Sequence, residues 1–238
     1  MKSVSLCGVR IDGVTMNEAV EAAFCAWETA CTVVTPNAIM LDGCRRQTEL
    51  ADLLNRATLC LPDGRGVLMA AKRHGTPLPM RVAGIDFGER VLQKAAADGA
   101  RVFLLGGRAE VAAKAAERLT ERIPNLSICG THHGFFDHSG AENDRVCHKI
   151  RTADPQILFV CLGFPLQEAW MMQNISRLPS VRLCACLGGS LDVWSGDIKR
   201  APVALQKVGL EWAWRMLREP RRLKQLPALI RMLVGKTF

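Results

Sequence analysis

The 238-residue sequence predicts an α/β fold, a mainly parallel sheet flanked by helices, with a basic α-helical appendage after residue 198. Three observations carry that expectation. Short β-branched, apolar runs alternate with amphipathic stretches of helical period, which is the pattern of βα units. Several of those runs end in glycine, as strands do when their carboxyl ends face a ligand. The charge is also uneven: the net +8 lies wholly in residues 199–238, where ten Lys or Arg face only Glu211 and Glu219.

Taken in order, residues 32–35 (TVVT) are all β-branched and read as a strand, and residues 40–55 follow with a helical period. Residues 58–61 (TLCL) form the next strand and 66–74 the next helix. A Pro-rich loop leads to a helix over 86–98, a strand over 101–105 (RVFLL) and a helix over 109–123. In that helix Val111, Ala115, Leu119 and Ile123 make one apolar stripe, with Glu110, Lys114, Glu117 and Arg118 outside it. Strands over 126–130, 156–162 and 181–187 alternate with helices over 144–153 and 166–177. The strand signals then stop: 203–218 and 221–234 read as two helices, with Pro220 in the first turn of the second and Pro227 interrupting it. The alternation makes the sheet Rossmann-like, with a catalytic-sized body over 1–198 and the appendage over 199–238.

Composition narrows the class. With 49% hydrophobic and 23% charged residues, 20 Gly and 11 Pro, the chain is neither disordered, fibrous nor repetitive. It is long enough to bury a core without disulfide or metal staples. The ten Cys sit singly, with no C-x-x-C pair, and Cys184 and Cys186 alternate as same-facing strand residues, so structural thiols are expected rather than zinc ligands. The opening MKSVSLCGVRIDG has no leader-like apolar core, which points to a reducing, cytoplasmic setting. No apolar run approaches the roughly 18 residues of a membrane span.

Candidate chemistry gathers at the strand ends. Thr35 and Asn37 close the first strand, where Asn37 is either a helix cap or a binding residue. Asp63 closes the second inside Leu61-Pro62-Asp63-Gly64, as a turn residue or an acid held for chemistry. Arg81 can neutralise a diphosphate or pair with Asp86. Gly106 and Gly107, Gly163, and Gly189 with Ser190 and Asp192 are strand-to-helix turns whose backbone N–H groups can approach a phosphate. Gln167 reads as free to touch a ligand and Glu168 as a capping charge. Adjacent His132 and His133 diverge on a strand, so one buried and one exposed imidazole are expected instead of a metal site. With no D-x-D pair of carboxylates to hold a divalent ion, a site without metal or other cofactor is expected, relying on Arg and backbone N–H groups.

In the appendage Arg215, Arg218 and Arg222 share one helical face beside Arg221, and Leu205, Val208, Trp212 and Met216 make another. With Trp214, this basic amphipathic stretch suits an anionic membrane surface, each cation there contributing about 1 kcal/mol. A helical hairpin docked on the body with a solvated Arg face is the plainer alternative. Nucleic acid is disfavoured by the neutral body and the 5% aromatic content.

The blocks VTPNAIML, LPDGRGV, RVAGID, VFLLGG, HHGFF, ILFVCLGFPLQEAW, LGGSLDVWSGDIKRAP and LEWAWRMLREPRR stand in one order from Val33 to Arg222. In that ordered set the sequence resembles the WecG/TagA/CpsF glycosyltransferases. The resemblance implies an inverting, nucleotide-sugar-dependent transferase, peripheral at the cytoplasmic face of the membrane, that glycosylates an undecaprenyl-diphosphate-linked sugar for a wall or surface polymer. In the best-known branch UDP-N-acetylmannosamine is the donor and N-acetylglucosamine the acceptor sugar. Carried onto this sequence, the family's proposed base falls on Asp63, its pocket positions on Thr35, Asn37 and Gln167, and its diphosphate-side Arg on Arg81. Arg215, Arg218 and Arg221 are the appendage groups implied to meet the leaving UDP. Leu166 stands where the family often has Lys. Donor sugar, polymer and assembly stay open, with a monomer at the membrane and a homo-oligomer in solution both admitted. A non-enzymatic nucleotide-binding protein recruited to membrane or nucleic acid by its basic tail is the alternative function. A nicotinamide oxidoreductase is disfavoured by the absent G-x-G-x-x-G.

Overall fold

A computed structural model describes residues 2–25, 29–207, 211–218, 226 and 231. The chain opens with a hairpin, β1 (Lys2–Leu6) and β2 (Val9–Gly13), followed by α1 (Met16–Cys25). Cys7 and Gly8 both take positive φ, at 51° and 78°, which is what a two-residue turn needs to match the twist of its strands. Then come β3 (Cys31–Val34), α2 (Ala38–Arg46), α3 (Thr48–Asn55), β4 (Leu59–Cys60), α4 (Arg65–Arg73), α5 (Gly84–Asp98), β5 (Arg101–Gly106) and α6 (Ala109–Arg122). After these follow β6 (Ser127–His132), α7 (Gly140–Ala153), β7 (Ile157–Cys161), α8 (Leu166–Asn174) with a 3₁₀ turn over Ile175–Arg177, β8 (Leu183–Cys186) and α9 (Ser190–Trp194). The appendage contributes α10 (Val203–Lys207) and α11 (Glu211–Arg218).

Six strands form one parallel sheet in the order β4-β3-β8-β7-β5-β6, and β1-β2 stands apart as an antiparallel pair. The two-residue period of each strand sorts its side chains onto opposite faces. Val34, Cys60, Phe103, Leu105, Leu158, Val160, Cys184 and Cys186 join α2, α3, α4, α7 and α8 in one core. Val33, Leu59, Leu61, Val102, Leu104, Ile157, Phe159, Leu183 and Ala185 join α1, α5, α6 and α9 in the other. Burial on both faces is why these strands read as continuous apolar runs. Burial also pushes the Cys44, Cys60 and Cys161 thiols up to about 12, and all ten cysteines are free, seven of them buried.

The topology makes its own crevice. From β5 the chain moves outward to β6, and from the neighbouring β7 it turns back to β8, so the carboxyl ends of β5 and β7 flank a switch point of the kind where ligands bind.

The structure corrects several sequence expectations. The helix expected over 40–55 is two, because Gln47 is extended (φ −139°, ψ 102°) between α2 and α3. The second strand shrinks to Leu59–Cys60, paired by those two residues with Val33 and Val34. Its outer side is covered instead by the hairpin, where Asp12 Oδ2 accepts the Cys60 N–H at 2.8 Å and Arg10 donates to Ala57 O at 2.7 Å. The helix expected over 144–153 starts at Gly140, after a turn in which Asp137 accepts from the Ser139 N–H and hydroxyl. The hairpin and α1 were not anticipated at all. The expected helix over 221–234, with Pro220 and Pro227, lies outside the described residues except Leu226 and Arg231, both helical.

Candidate active site

Two strand ends are stitched side by side. Beyond β3 and β4 the ladder continues as Leu61 N–H to Val34 O at 2.9 Å and Asp63 N–H to Pro36 O at 3.0 Å. A third segment joins them, Val82 N–H donating to Pro62 O at 2.9 Å. Thr35, Asn37, Asp63 and Arg81, far apart in sequence, therefore share one rim. Close helix packing fixes it: a Cβ on Gly66 would sit 2.8 Å from Ala38 Cβ, and one on Gly84 would sit 3.0 Å from Thr35 Oγ1. Both glycines stand at helix starts, so only their small size lets α4 and α5 close on the β3 turn.

Within that rim the side chains are placed differently. Thr35 is buried and its hydroxyl donates to Cys186 O at 3.3 Å. Asn37 caps α2, its Oδ1 accepting from Ile39 and Met40 N–H at 3.0 and 3.2 Å, so of its two sequence readings the cap is realised. Asp63 is half-buried, just ahead of Gly64, whose φ of 92° turns the chain into α4.

The crevice side is built from glycines and one amide. Gly106 (φ 137°) lies so close to β7 that a Cβ would come 2.2 Å from Cys161 O, and Gly107 (φ 67°) accepts at its carbonyl from Gly134 N–H at 2.8 Å. Gly163 (φ 83°) precedes a cis Phe164-Pro165 bond. Gln167 Oε1 accepts from Gly163 N–H at 3.3 Å and Gly188 N–H at 3.0 Å, tying the β7 and β8 turns together, while its Nε2 donates to Glu168 at 2.8 Å. The expectation of a free Gln167 is therefore corrected: its amide is consumed by the scaffold. Ser190 is also turned inward, its hydroxyl donating to Leu187 O at 2.7 Å, and Gly189 and Asp192 flank it at the start of α9.

Glu168 is not the capping charge expected. Its side chain turns under α8 into the body, fully buried, with Oε2 lacking a partner among the described residues. Burial raises its carboxyl from the ordinary 4.5 to about 7, with the Gln167 hydrogen bond opposing. The histidine expectation is corrected as well. His132 and His133 are both half-buried, with rings 4.5 Å apart, because His132 Nδ1 turns back to His133 O at 2.8 Å. Burial lowers the His132 pKa, and no group of three or more metal-ligating side chains gathers among the described residues.

Of its two sequence readings, Arg81 realises the pairing with Asp86. It donates to Asp86 at 3.4 Å and, unexpectedly, to Glu211 of α11 at 3.3 Å. Arg200 completes a ring, reaching Asp86 at 2.6 Å and Glu211 at 3.3 Å. Sequence reasoning missed Arg200 and Glu211 as site residues. Arg200 was visible only as part of the IKRAP block, and Glu211 only as one of two acids in a basic tail.

Other described residues of the appendage dock too. Met216 is buried in the first core, Trp212 and Leu226 pack against it, and Trp214 Nε1–H donates to Lys199 O at 3.2 Å. Of the expected apolar stripe, Trp212 and Met216 thus turn inward, Leu205 is half-buried and Val208 lies outside the described residues. Arg231 grips the buried Asp42 of α2 through Nε at 3.0 Å and Nη2 at 2.7 Å, and these bonds hold the Asp42 carboxyl below the usual range. Arg215 and Arg218 lie on α11, and Arg221 lies outside the described residues.

Comparison with known proteins places this architecture. A family model described as the glycosyl transferase WecG/TagA/CpsF family matches residues 4–236. Among curated relatives, the N-acetylglucosaminyldiphosphoundecaprenol N-acetyl-beta-D-mannosaminyltransferase of Staphylococcus aureus strain MW2 is 33% identical over 230 residues, covering 95% of this chain and 89% of that protein. The same enzyme from strains NCTC 8325 / PS 47 and MRSA252 matches to the same extent.

Proposed function

Because this chain belongs to the WecG/TagA/CpsF family of glycosyl transferases, we propose that it moves N-acetylmannosamine from a UDP-sugar onto undecaprenyl-diphosphate-linked N-acetylglucosamine, in the synthesis of a wall or surface polysaccharide. The observation that carries this reading is the stitched rim, which brings Thr35, Asn37, Asp63 and Arg81 together at the carboxyl ends of a parallel sheet.

Chemically, Asp63 takes the proton from the acceptor hydroxyl as that oxygen attacks the anomeric carbon from the face opposite the leaving group. The bond to UDP breaks with its electron pair passing to the diphosphate, which inverts the anomeric centre. Guanidinium groups, first Arg81 and then the appendage's Arg215, Arg218 and Arg221, hold the departing charge without a divalent ion. Gly106, Gly107, Gly163, Gly189 and the tied amide of Gln167 keep the crevice backbone close and rigid around the donor.

Where the reaction takes place follows from the acceptor. A polyprenyl lipid confines the enzyme to a membrane surface, and no described helix is long and apolar enough to cross one. Peripheral attachment on the cytoplasmic side, through the cations of residues 199–238 other than Arg200 and Arg231, is the arrangement that fits.

The test is UDP release from a panel of UDP-sugars, with and without a short-chain lipid-diphosphate N-acetylglucosamine acceptor. Acceptor-dependent release from UDP-N-acetylmannosamine is expected, unaffected by chelator. In Asp63→Asn, UDP binding should persist while transfer falls by about 100-fold or more. Release from no donor overturns the function, and normal turnover in Asp63→Asn removes that residue as base.

A further inference from the structure

Arg81, Asp86, Arg200 and Glu211 come from the loop before α5, its first turn, the segment before α10 and the start of α11, and they close a four-membered ring of alternating charge. Its bonds are unequal. Arg200 to Asp86 is short at 2.6 Å, but Glu211 reaches Arg200 and Arg81 only at 3.3 Å each. Charge-assisted N–H···O bonds settle at about 2.7–2.9 Å, so both Glu211 contacts and the Arg81–Asp86 contact at 3.4 Å are weak links, and only Arg200–Asp86 is tight.

Glu211 spends one oxygen on each guanidinium, Oε1 on Arg200 and Oε2 on Arg81. Two guanidiniums bridged by two oxygens of one anion is also how a diphosphate is held. The side chains of Arg81, Arg200 and Glu211 are only 20%, 19% and 12% exposed, so this is not a pair screened by water. Arg200 Nη2 is moreover buried with no hydrogen-bond partner among the described residues. A desolvated guanidinium N–H without an acceptor is costly, and an anion larger than one carboxylate would satisfy it. The ring also touches the rim, because Val82, next to Arg81, is bonded to the Pro62-Asp63 turn.

We propose that Arg81 and Arg200 together form a diphosphate site, that Glu211 occupies it as an internal stand-in while α11 is docked, and that a substrate diphosphate displaces Glu211. This rests on the transferase reading and deepens it: Arg200 becomes a second diphosphate-binding group, and Glu211 a built-in competitor that links substrate arrival to the hold on α11. Asp86 stays in place, since its short bond to Arg200 orients that guanidinium. Both substrates of the proposed reaction carry a diphosphate, so the probes must distinguish nucleotide from lipid.

The experiment is calorimetric titration of the full chain with UDP, with inorganic pyrophosphate and with the short-chain lipid diphosphate. Glu211→Gln keeps the size but removes the competing charge and one of the two acceptors, and is expected to bind its diphosphate about tenfold tighter than the parent. Arg200→Gln should bind about tenfold more weakly, and the gain from Glu211→Gln should vanish in the double variant. Tightening toward UDP identifies the donor, and tightening toward the lipid diphosphate alone identifies the acceptor. Unchanged or weaker binding of all three probes in Glu211→Gln overturns the proposal, as does full affinity in Arg200→Gln. If Glu211→Gln does not fold, Glu211→Asp, which keeps the charge but draws it back from both guanidiniums, should show a smaller gain, and no gain is again fatal. UDP binding with no Glu211 effect removes the stand-in and leaves the transferase. Tightening toward pyrophosphate without any UDP binding keeps the anion site and removes the donor reading.

Discussion

Glu168 shows how far a single residue's chemistry depends on its surroundings. Beside Gln167 at the start of a helix it has the sequence of a capping acid, yet it is fully buried and its carboxyl rises to about 7. The folded chain therefore holds this proton up to about 7, whereas the unfolded chain releases it near 4.5. Between those values the folded state binds more protons, so stability falls as pH rises, by roughly 3 kcal/mol once pH exceeds 7. Glu168→Gln cannot ionise, so the stability difference between about pH 5 and about pH 8, read from urea unfolding, should shrink by roughly 2 to 3 kcal/mol. An unchanged pH slope would show that the carboxyl ionises freely in the fold. Residue types at the strand ends were legible in the sequence, as Thr35, Asn37 and Asp63 show. Their commitments were not: whether Gln167 meets a ligand or two backbone N–H groups depends on Gly188, 21 residues away.

At the scale of elements, the crevice depends on how closely the end of β5 approaches β7. Gly106 permits it, with φ at 137° and 2.2 Å from an added Cβ to Cys161 O. Gly106→Ala should lower unfolding free energy by roughly 3 kcal/mol or more, because both the backbone angle and a backbone clash must relax. Gly99→Ala is the control. It caps α5 at φ 67° with nothing within 4 Å of an added Cβ, and should cost about 1 kcal/mol. Equal losses in thermal unfolding would mean that the β5 turn yields easily and does not fix the crevice. The sequence marked every strand of the main sheet, five of them because they are apolar runs buried on both faces, whereas β6 (SICGTH) at the edge is only half-buried and stood out less. It gave less warning of the hairpin, whose signals were the alternation in KSVSL and VRID and the Cys7-Gly8 turn. The break at Gln47 carried no signal in composition, since neither Gly nor Pro stands there.

For the whole molecule the decisive arrangement is the appendage against the body. Met216 in the core, Glu211 in the ion-pair ring and Arg231 on Asp42 are three separate attachments between the two parts. Truncation before Lys199 should abolish vesicle binding and transfer together, because it removes the whole +8, Glu211 from Arg81 and Arg231 from Asp42. Flotation with anionic vesicles checks the first and UDP release the second, and retained vesicle binding would refute the tail as membrane anchor. The sequence by itself determined the class of fold, the strand ends at which the candidate site residues gather and the segment that carries the charge. These follow from period, glycine placement and composition, which are properties of neighbouring residues along the chain. Only the tertiary structure decided which groups oppose each other: Arg81 with Glu211, 130 residues apart, Asp42 with Arg231, 189 apart, and Gln167 across two turns. The physical reason is that hydrogen bonds, ion pairs and the pKa of a buried acid are set by distances and desolvation, and neither exists until the chain has closed on itself.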